Sequence, residues 1–234
     1  MKNLILASTS TLYGESFLEY LHPVLSNHFQ GVGEILFVPF ARPGGIDHES
    51  YCNIVREAFA KIGIGAKGLH SVSDMKQEIL RAEAIYIGGG NTFVLLDQLH
   101  SLGLLTPIRE SVLSGTPYLG SSAGSNVACP TVKTTNDMPI VHPVSLEALN
   151  LVPFNINPHY LDPDPGSKHK GETRETRIKE FHAYNRETVI GLREGSWITV
   201  KNDEMFLKGK VSARVFKPKQ QAFEVDPETD LRLV

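Results

Sequence analysis

Four short runs made almost wholly of apolar residues recur through the first half of the chain. They are Leu4-Ile5-Leu6-Ala7, Ile35-Leu36-Phe37-Val38-Pro39-Phe40, Ile85-Tyr86-Ile87 and Pro117-Tyr118-Leu119-Gly120. A strand with one face in water alternates apolar and polar residues, so a strand apolar on both sides must be covered on both faces. The segments between these runs are built to cover them. Asp47 to Ile62 reads as a helix with Asp47 as its N-cap, and Asp74 to Ala82, Thr92 to Leu102 and Pro107 to Ser114 read as further helices. Glu15 to His28 carries Phe17, Leu18, Leu21, Leu25 and Phe29 at helical spacing, with Pro23 expected to bend or shorten that helix. Gly63 to Gly68 returns to the sheet. The expectation is an α/β fold whose mostly parallel sheet is covered by helices on both faces.

After about residue 130 the pattern changes. Loops rich in Pro, Asn and Asp lead to one helix from Thr173 to Tyr184. Short alternating strands follow at Thr188 to Leu192, Trp197 to Lys201, Glu204 to Lys208 and Ala213 to Lys217, and antiparallel pairing is expected there. With 234 residues and no repeat or linker, a single domain over 1–234 is the simplest organisation. A net charge of -3 without a basic run gives no reason to expect nucleic acid. No run approaches the ~18 apolar residues of a membrane span, and the N-terminus reads as a buried strand rather than a signal peptide. Cys52 and Cys129 have no metal spacing and are expected as reduced thiols of a cytoplasmic protein.

The chemistry begins at Gly120-Ser121-Ser122-Ala123-Gly124, a Gly-x-Ser-x-Gly run directly after a strand. Such a run marks a nucleophile elbow, in which a tight strand-to-helix turn lifts the central serine above the sheet. Ser122 is the expected nucleophile, with Ser121 as an off-centre rival. A helix beginning near Gly124 would aim its positive end at developing negative charge. A serine needs a base, and nine histidines are available. His22, His28, His100 and His182 lie in helical stretches. His159 lies just after an apolar run, where loops carry function, and competes from spacing alone with His142 and His169. Gly88-Gly89-Gly90-Asn91-Thr92 admits three interpretations: a tight turn, a weakly matched phosphate cradle, or a loop whose N–H groups join that of Ala123 in an oxyanion hole. No His-Glu-x-x-His spacing occurs, so neither a metal nor another cofactor is expected.

Taken together, Gly88-Gly89-Gly90-Asn91-Thr92-Phe93, Ser122-Ala123-Gly124, Thr134-Thr135-Asn136-Asp137-Met138-Pro139-Ile140-Val141, Asn157-Pro158-His159, Lys170-Gly171-Glu172-Thr173-Arg174 and Glu194-Gly195-Ser196-Trp197 closely resemble the dipeptidase E family, the aspartyl dipeptidases related to cyanophycinase. The resemblance runs in order over nearly the whole chain. It implies a fold similar to class I glutamine amidotransferases, with serine in place of their cysteine. It also implies hydrolysis of small peptides that begin with aspartate. In that pattern Ser122 attacks, His159 shuttles the proton and Glu194 orients the histidine, with Asp137 as the competing third residue. Gly89 or Gly90 and Ala123 would donate to the oxyanion. Arg174 would take the substrate carboxylate, Asn91 its polar groups and Asp137 its α-amino group. The implied partner is a small peptide, with the protein a monomer or homodimer, and a pocket partly roofed by the 130–145 or 160–172 loops would exclude long peptides. Ser121 departs from the bulky aromatic usual before the family's nucleophile, and Ser125 from its frequent alanine. Both are expected to alter the pocket. The alternatives are a related peptidase acting on β-aspartyl or other acidic substrates, and a non-catalytic ligand-binding member of the fold.

Overall fold

A computed structural model describes every residue of the chain except 165, 167, 169 and 170. In chain order the elements are β1 (Asn3–Ala7), α1 (His22–His28), β2 (Glu34–Val38), α2 (His48–Ala60), β3 (Gly65–Gly68), α3 (Met75–Arg81), β4 (Ile85–Ile87), α4 (Thr92–Ser101), α5 (Leu105–Ser114), β5 (Tyr118–Ser121), α6 (Ala123–Val127), β6 (Asn155–Pro158), α7 (Arg174–Phe181), β7 (Val189–Leu192), β8 (Ser196–Lys201), β9 (Glu204–Gly209), β10 (Ala213–Phe216) and β11 (Phe223–Val225). The helix starts follow capping chemistry. Asp47, Asp74, Asn91 and Thr173 each accept a backbone N–H from the first turn of α2, α3, α4 and α7. The helix is shortened at Pro23, as expected. The proline sits in the first turn of α1, where its missing N–H costs nothing, and the segment before it is a short 3-10 turn at Glu19–Leu21.

The larger sheet has seven strands in the order β3-β2-β4-β5-β1-β8-β9. The first five are parallel, and β8 and β9 extend the sheet antiparallel to β1 and to each other. Its two faces are both apolar, as the unbroken runs require. Leu4, Leu6, Leu36, Val38, Ile85, Ile87 and Tyr118 pack with Ile79 of α3, Leu95 and Leu99 of α4 and Ile108 and Val112 of α5. Ile5, Ala7, Ile35, Phe37, Tyr86 and Leu119 face Leu25 of α1 and Tyr51, Val55 and Phe59 of α2. Burying each large side chain of this kind contributes about 1.5–3 kcal/mol.

The C-terminal strands divide between two sheets. While β8 and β9 join the large sheet, β7, β10 and β11 form a second one with β6, in the order β11-β10-β7-β6. Here β6 runs parallel to β7, and β10 is antiparallel to both neighbours. The polar residues Asn155 and Asn157 hide β6 from a search for apolar runs. Both are buried with their amide N–H groups paired: Asn155 Nδ2 donates to Thr131 Oγ1 at 2.9 Å, and Asn157 Nδ2 to the Thr134 carbonyl at 2.8 Å and to Asn136 Oδ1 at 2.7 Å. Cys52 and Cys129 are buried free thiols. Among the described residues, no helix is long and apolar enough to cross a membrane.

Candidate active site

In open α/β sheets, sites form outside the carboxyl ends of the parallel strands. Three such ends meet here. Gly88 follows β4, Ser122 follows β5 and Ser8 follows β1. Ser122 is held at φ 52° and ψ −111°, a left-handed conformation that costs a non-glycine residue of order 1–3 kcal/mol. The surrounding glycines explain why the turn closes this tightly. A Cβ on Gly124 would stand 2.0 Å from the Ile87 carbonyl oxygen, and one on Gly120 would stand 2.6 Å from the Gly124 carbonyl oxygen. Helix α6 starts at Ala123, one residue earlier than expected, and is only five residues long. Its contribution to the site comes from its first N–H groups more than from a summed dipole.

Ser122 Oγ lies 2.9 Å from His159 Nε2, and His159 Nδ1 lies 2.6 Å from Glu194 Oε1. An ionised carboxylate only accepts, so Nδ1 carries the proton in that pair. Nε2 is then the basic nitrogen, facing the serine hydroxyl. His159 follows the end of β6 at φ 51°, and Glu194 lies in the turn between β7 and β8 that Gly195 makes at φ 89°. The line of three residues therefore crosses from the large sheet to the small one. Its histidine side chain is 37% exposed and its glutamate 49%, so the pair is open to water.

Beside Ser122 lies the Gly88–Gly90 turn. A Cβ on Gly89 would come within 3.0 Å of the Ser122 Cβ, and Gly90 sits at φ 145° with no room for a side chain against Ala41. Among the described residues, the N–H groups of Gly89, Gly90 and Ala123 donate to no protein acceptor. Asp137 is occupied elsewhere than at His159. Its Oδ2 accepts from the Thr92 N–H at 2.7 Å and from Thr135 Oγ1 at 3.0 Å, which anchors it to the start of α4. Asn91 is the N-cap of α4, with Oδ1 on the Val94 N–H and Nδ2 on the Met138 carbonyl. Its amide thus closes the helix and ties the 134–144 loop to it at Met138.

Arg174 is the first residue of α7 and lines a groove with Arg177, Asp162 and Thr173. Partial burial, then the charge of Arg177, weakens its hold on its proton, and the Asp137 carboxylate works the other way. No carboxylate pairs with it among the described residues. Of the other histidines, His142 stands exposed in its loop, and His169 and Lys170 lie outside the described residues.

Ser121 proves unrelated to the pocket. It is fully buried on the α2 side of the sheet, with Oγ 2.9 Å from the Tyr86 hydroxyl, so its alternation along β5 turns it away from Ser122. Ser125 is likewise a buried structural hydroxyl, donating toward the Ala7 and Gly120 carbonyls. Two other features carry no local signal in the sequence. Ser8, in an unremarkable Ser-Thr-Ser run, receives the His159 N–H. Arg193, next to Glu194, binds both Asp162 and Glu224.

The sequence profile of peptidase family S51 matches residues 4–208. The chain belongs to peptidase family S51. As a member of that family it is a serine-type peptidase, a hydrolase of peptide bonds. A Drosophila melanogaster relative named probable alpha-aspartyl dipeptidase is 49% identical over 98% of this chain and 96% of its own length. Peptidase E of Streptomyces coelicolor is 47% identical over 92% of this chain and 87% of its own. The crystal structure of a peptidase from an acI-B1 actinobacterium superposes with a TM-score of 0.73 at 19% identity, covering 99% of this chain and 96% of that one. That last likeness concerns the fold alone. Among the described residues of this S51 chain, no group of three or more His, Cys, Asp or Glu could hold a metal ion.

Proposed function

We propose that the chain is a serine dipeptidase that removes an N-terminal aspartate from Asp-Xaa. The observation that carries this is the continuous line Ser122 Oγ, His159, Glu194, at 2.9 and 2.6 Å, in a family S51 chain that is 49% identical to a relative named probable alpha-aspartyl dipeptidase. Ser122 Oγ attacks the peptide carbonyl while His159 Nε2 takes its proton. Glu194 holds the ring in the tautomer that leaves Nε2 basic and balances the imidazolium that forms. The N–H of Ala123 and that of Gly89 or Gly90 face the oxyanion. Collapse of the tetrahedral intermediate breaks the C–N bond, and His159 returns the proton to the departing amine. Water then repeats the sequence on the aspartyl ester and frees Ser122.

Specificity follows from charge. Arg174 takes the side-chain carboxylate of the substrate, for which a guanidinium fork is suited. Asp137, with Oδ2 already on the α4 N-terminus, offers Oδ1 to the substrate's α-amino group. The test is hydrolysis of Asp-Leu by the wild type and by Ser122→Ala. Turnover should vanish in the variant with its melting temperature little changed. Retained turnover would sink the proposal.

A further inference from the structure

The strand end that supports the nucleophile also supports the base. Ala7, the last residue of β1, accepts the Ser122 N–H at 3.0 Å through its carbonyl. Its neighbour Ser8 accepts the His159 N–H at 2.9 Å through Oγ, and the same hydroxyl donates its one proton to the Leu192 carbonyl at 2.7 Å. Ser8 is fully buried, and its own N–H bonds to the Ser196 carbonyl at 3.2 Å. One residue directly after β1 thus touches the chain just after β6, the end of β7 and the start of β8. These are the segments that present His159 and flank Glu194.

We propose that Ser8 is a positioning residue that holds the His159 backbone in its left-handed conformation and thereby aims the imidazole between Ser122 and Glu194. This rests on the function proposed above. Three observations carry it. First, His159 sits at φ 51°, a conformation that persists only when its surroundings enforce it. Second, the Ser8 hydroxyl is the acceptor its N–H has. With its proton fixed on Leu192, Ser8 Oγ presents a lone pair and not a competing hydrogen. Third, the defect left by removing the hydroxyl is local. The Leu192 carbonyl would keep the Tyr160 N–H at 3.1 Å, so only the His159 N–H would be left without its partner. Relief of that orphan requires the peptide before His159 to rotate, and the ring moves with it.

The experiment compares Ser8→Ala with wild type, with Ser122→Ala, and with Ser111→Ala, which removes another buried hydroxyl, on α5 away from the site. Displacement of a catalytic group by about 1 Å costs on the order of a hundredfold. The expected result for Ser8→Ala is therefore a kcat on Asp-Leu lowered about tenfold to a hundredfold, with KM within about twofold. The strongly deshielded proton NMR signal of the His159 Nδ1–H on Glu194 should broaden or disappear. Ser111→Ala should keep both kcat and signal. If Ser8→Ala does not fold, the same comparison is made with Ser8→Cys, which keeps the shape but accepts poorly. A kcat within twofold of wild type, an unchanged signal, an equal loss in Ser111→Ala, or failure of both Ser8 variants to fold each overturns the assignment. Failure of wild type to cleave Asp-Leu would instead remove the dipeptidase function, and the NMR signal would still decide the role of Ser8.

Discussion

Ser122 and His159 are both held at positive φ, 52° and 51°, and their backbone amides are received by adjacent residues, Ala7 and Ser8. Strain at two facing residues, anchored to one strand end, fixes the 2.9 Å approach of Oγ to Nε2 before any substrate arrives. Ser122 and His159 each directly follow a strand, and Glu194 lies in the short turn between β7 and β8, a placement suited to preorganised catalysis.

The carboxylate behind His159 is the first point to test. Glu194→Gln removes the charge that faces Nδ1 and allows the amide to donate, favouring the wrong ring tautomer, so kcat should fall by on the order of a hundredfold or more. Asp137→Asn should mainly raise KM, because Asp137 sits at the α4 N-terminus and not on the ring. Steady-state kinetics of the two variants on Asp-Leu separates the roles. Loss of kcat confined to Asp137→Asn would reverse them.

Arg174 carries the specificity prediction. A hydrogen bond to a charged group contributes about 1.5–3 kcal/mol, so Arg174→Ala should lower kcat/KM for Asp-Leu about tenfold to a hundredfold or slightly more. Arg174→Lys keeps the charge but loses the fork and should recover only part. Wild type should prefer α-Asp-Leu over Asn-Leu, Glu-Leu and β-Asp-Arg. Equal loss across all four peptides in Arg174→Ala would show that the arginine does not contact the aspartyl carboxylate.

Acid should destabilise the fold in two stages. Burial lowers the His28 pKa from 6.5 to about 4, against the opposing bond from its ring to the Tyr118 carbonyl. Between those values the unfolded chain binds a proton that the folded one refuses, so stability falls as pH drops from about 6.5 toward 4. Glu224 follows. Its bond from Arg193, then those from Ser212 and Arg214, lower it from 4.5 to about 2. Its contribution is present above 4.5 and lost as pH falls toward 2, reduced by its 42% exposure to solvent. Melting temperatures measured from pH 7 to 2.5 should show both stages. His28→Gln should flatten the first and Glu224→Gln the second. A His28→Gln variant as acid-sensitive as wild type between pH 6.5 and 4 would contradict this.

The parallel core was legible in the sequence because its strands are buried on both faces and therefore carry unbroken apolar runs. In the small sheet β7 and β10 were legible by alternation, but β6 was not, because Asn155 and Asn157 become burial-compatible through partners 21 to 24 residues away. The elbow announced Ser122 through two glycines whose Cβ atoms would strike backbone. His159 and Glu194 lack such a local signature, since long-range topology brings them to Ser122, and the family resemblance pointed to them where spacing left three histidines open. Ser8 was invisible for the same reason: its partner His159 lies 151 residues away. Conversely, Ser121 looked like a rival and a pocket residue, yet strand alternation points it at Tyr86 on the opposite face.

That opposition of Ser121 and Ser122 makes covalent trapping the most direct measurement. A serine-directed phosphonate with an aspartyl side chain should add one group per chain, and peptide mapping should place it on Ser122 with matching loss of Asp-Leu hydrolysis. Ser121→Ala should be labelled at an undiminished rate. An adduct on Ser121, or an active enzyme that takes no label at Ser122, would contradict the account.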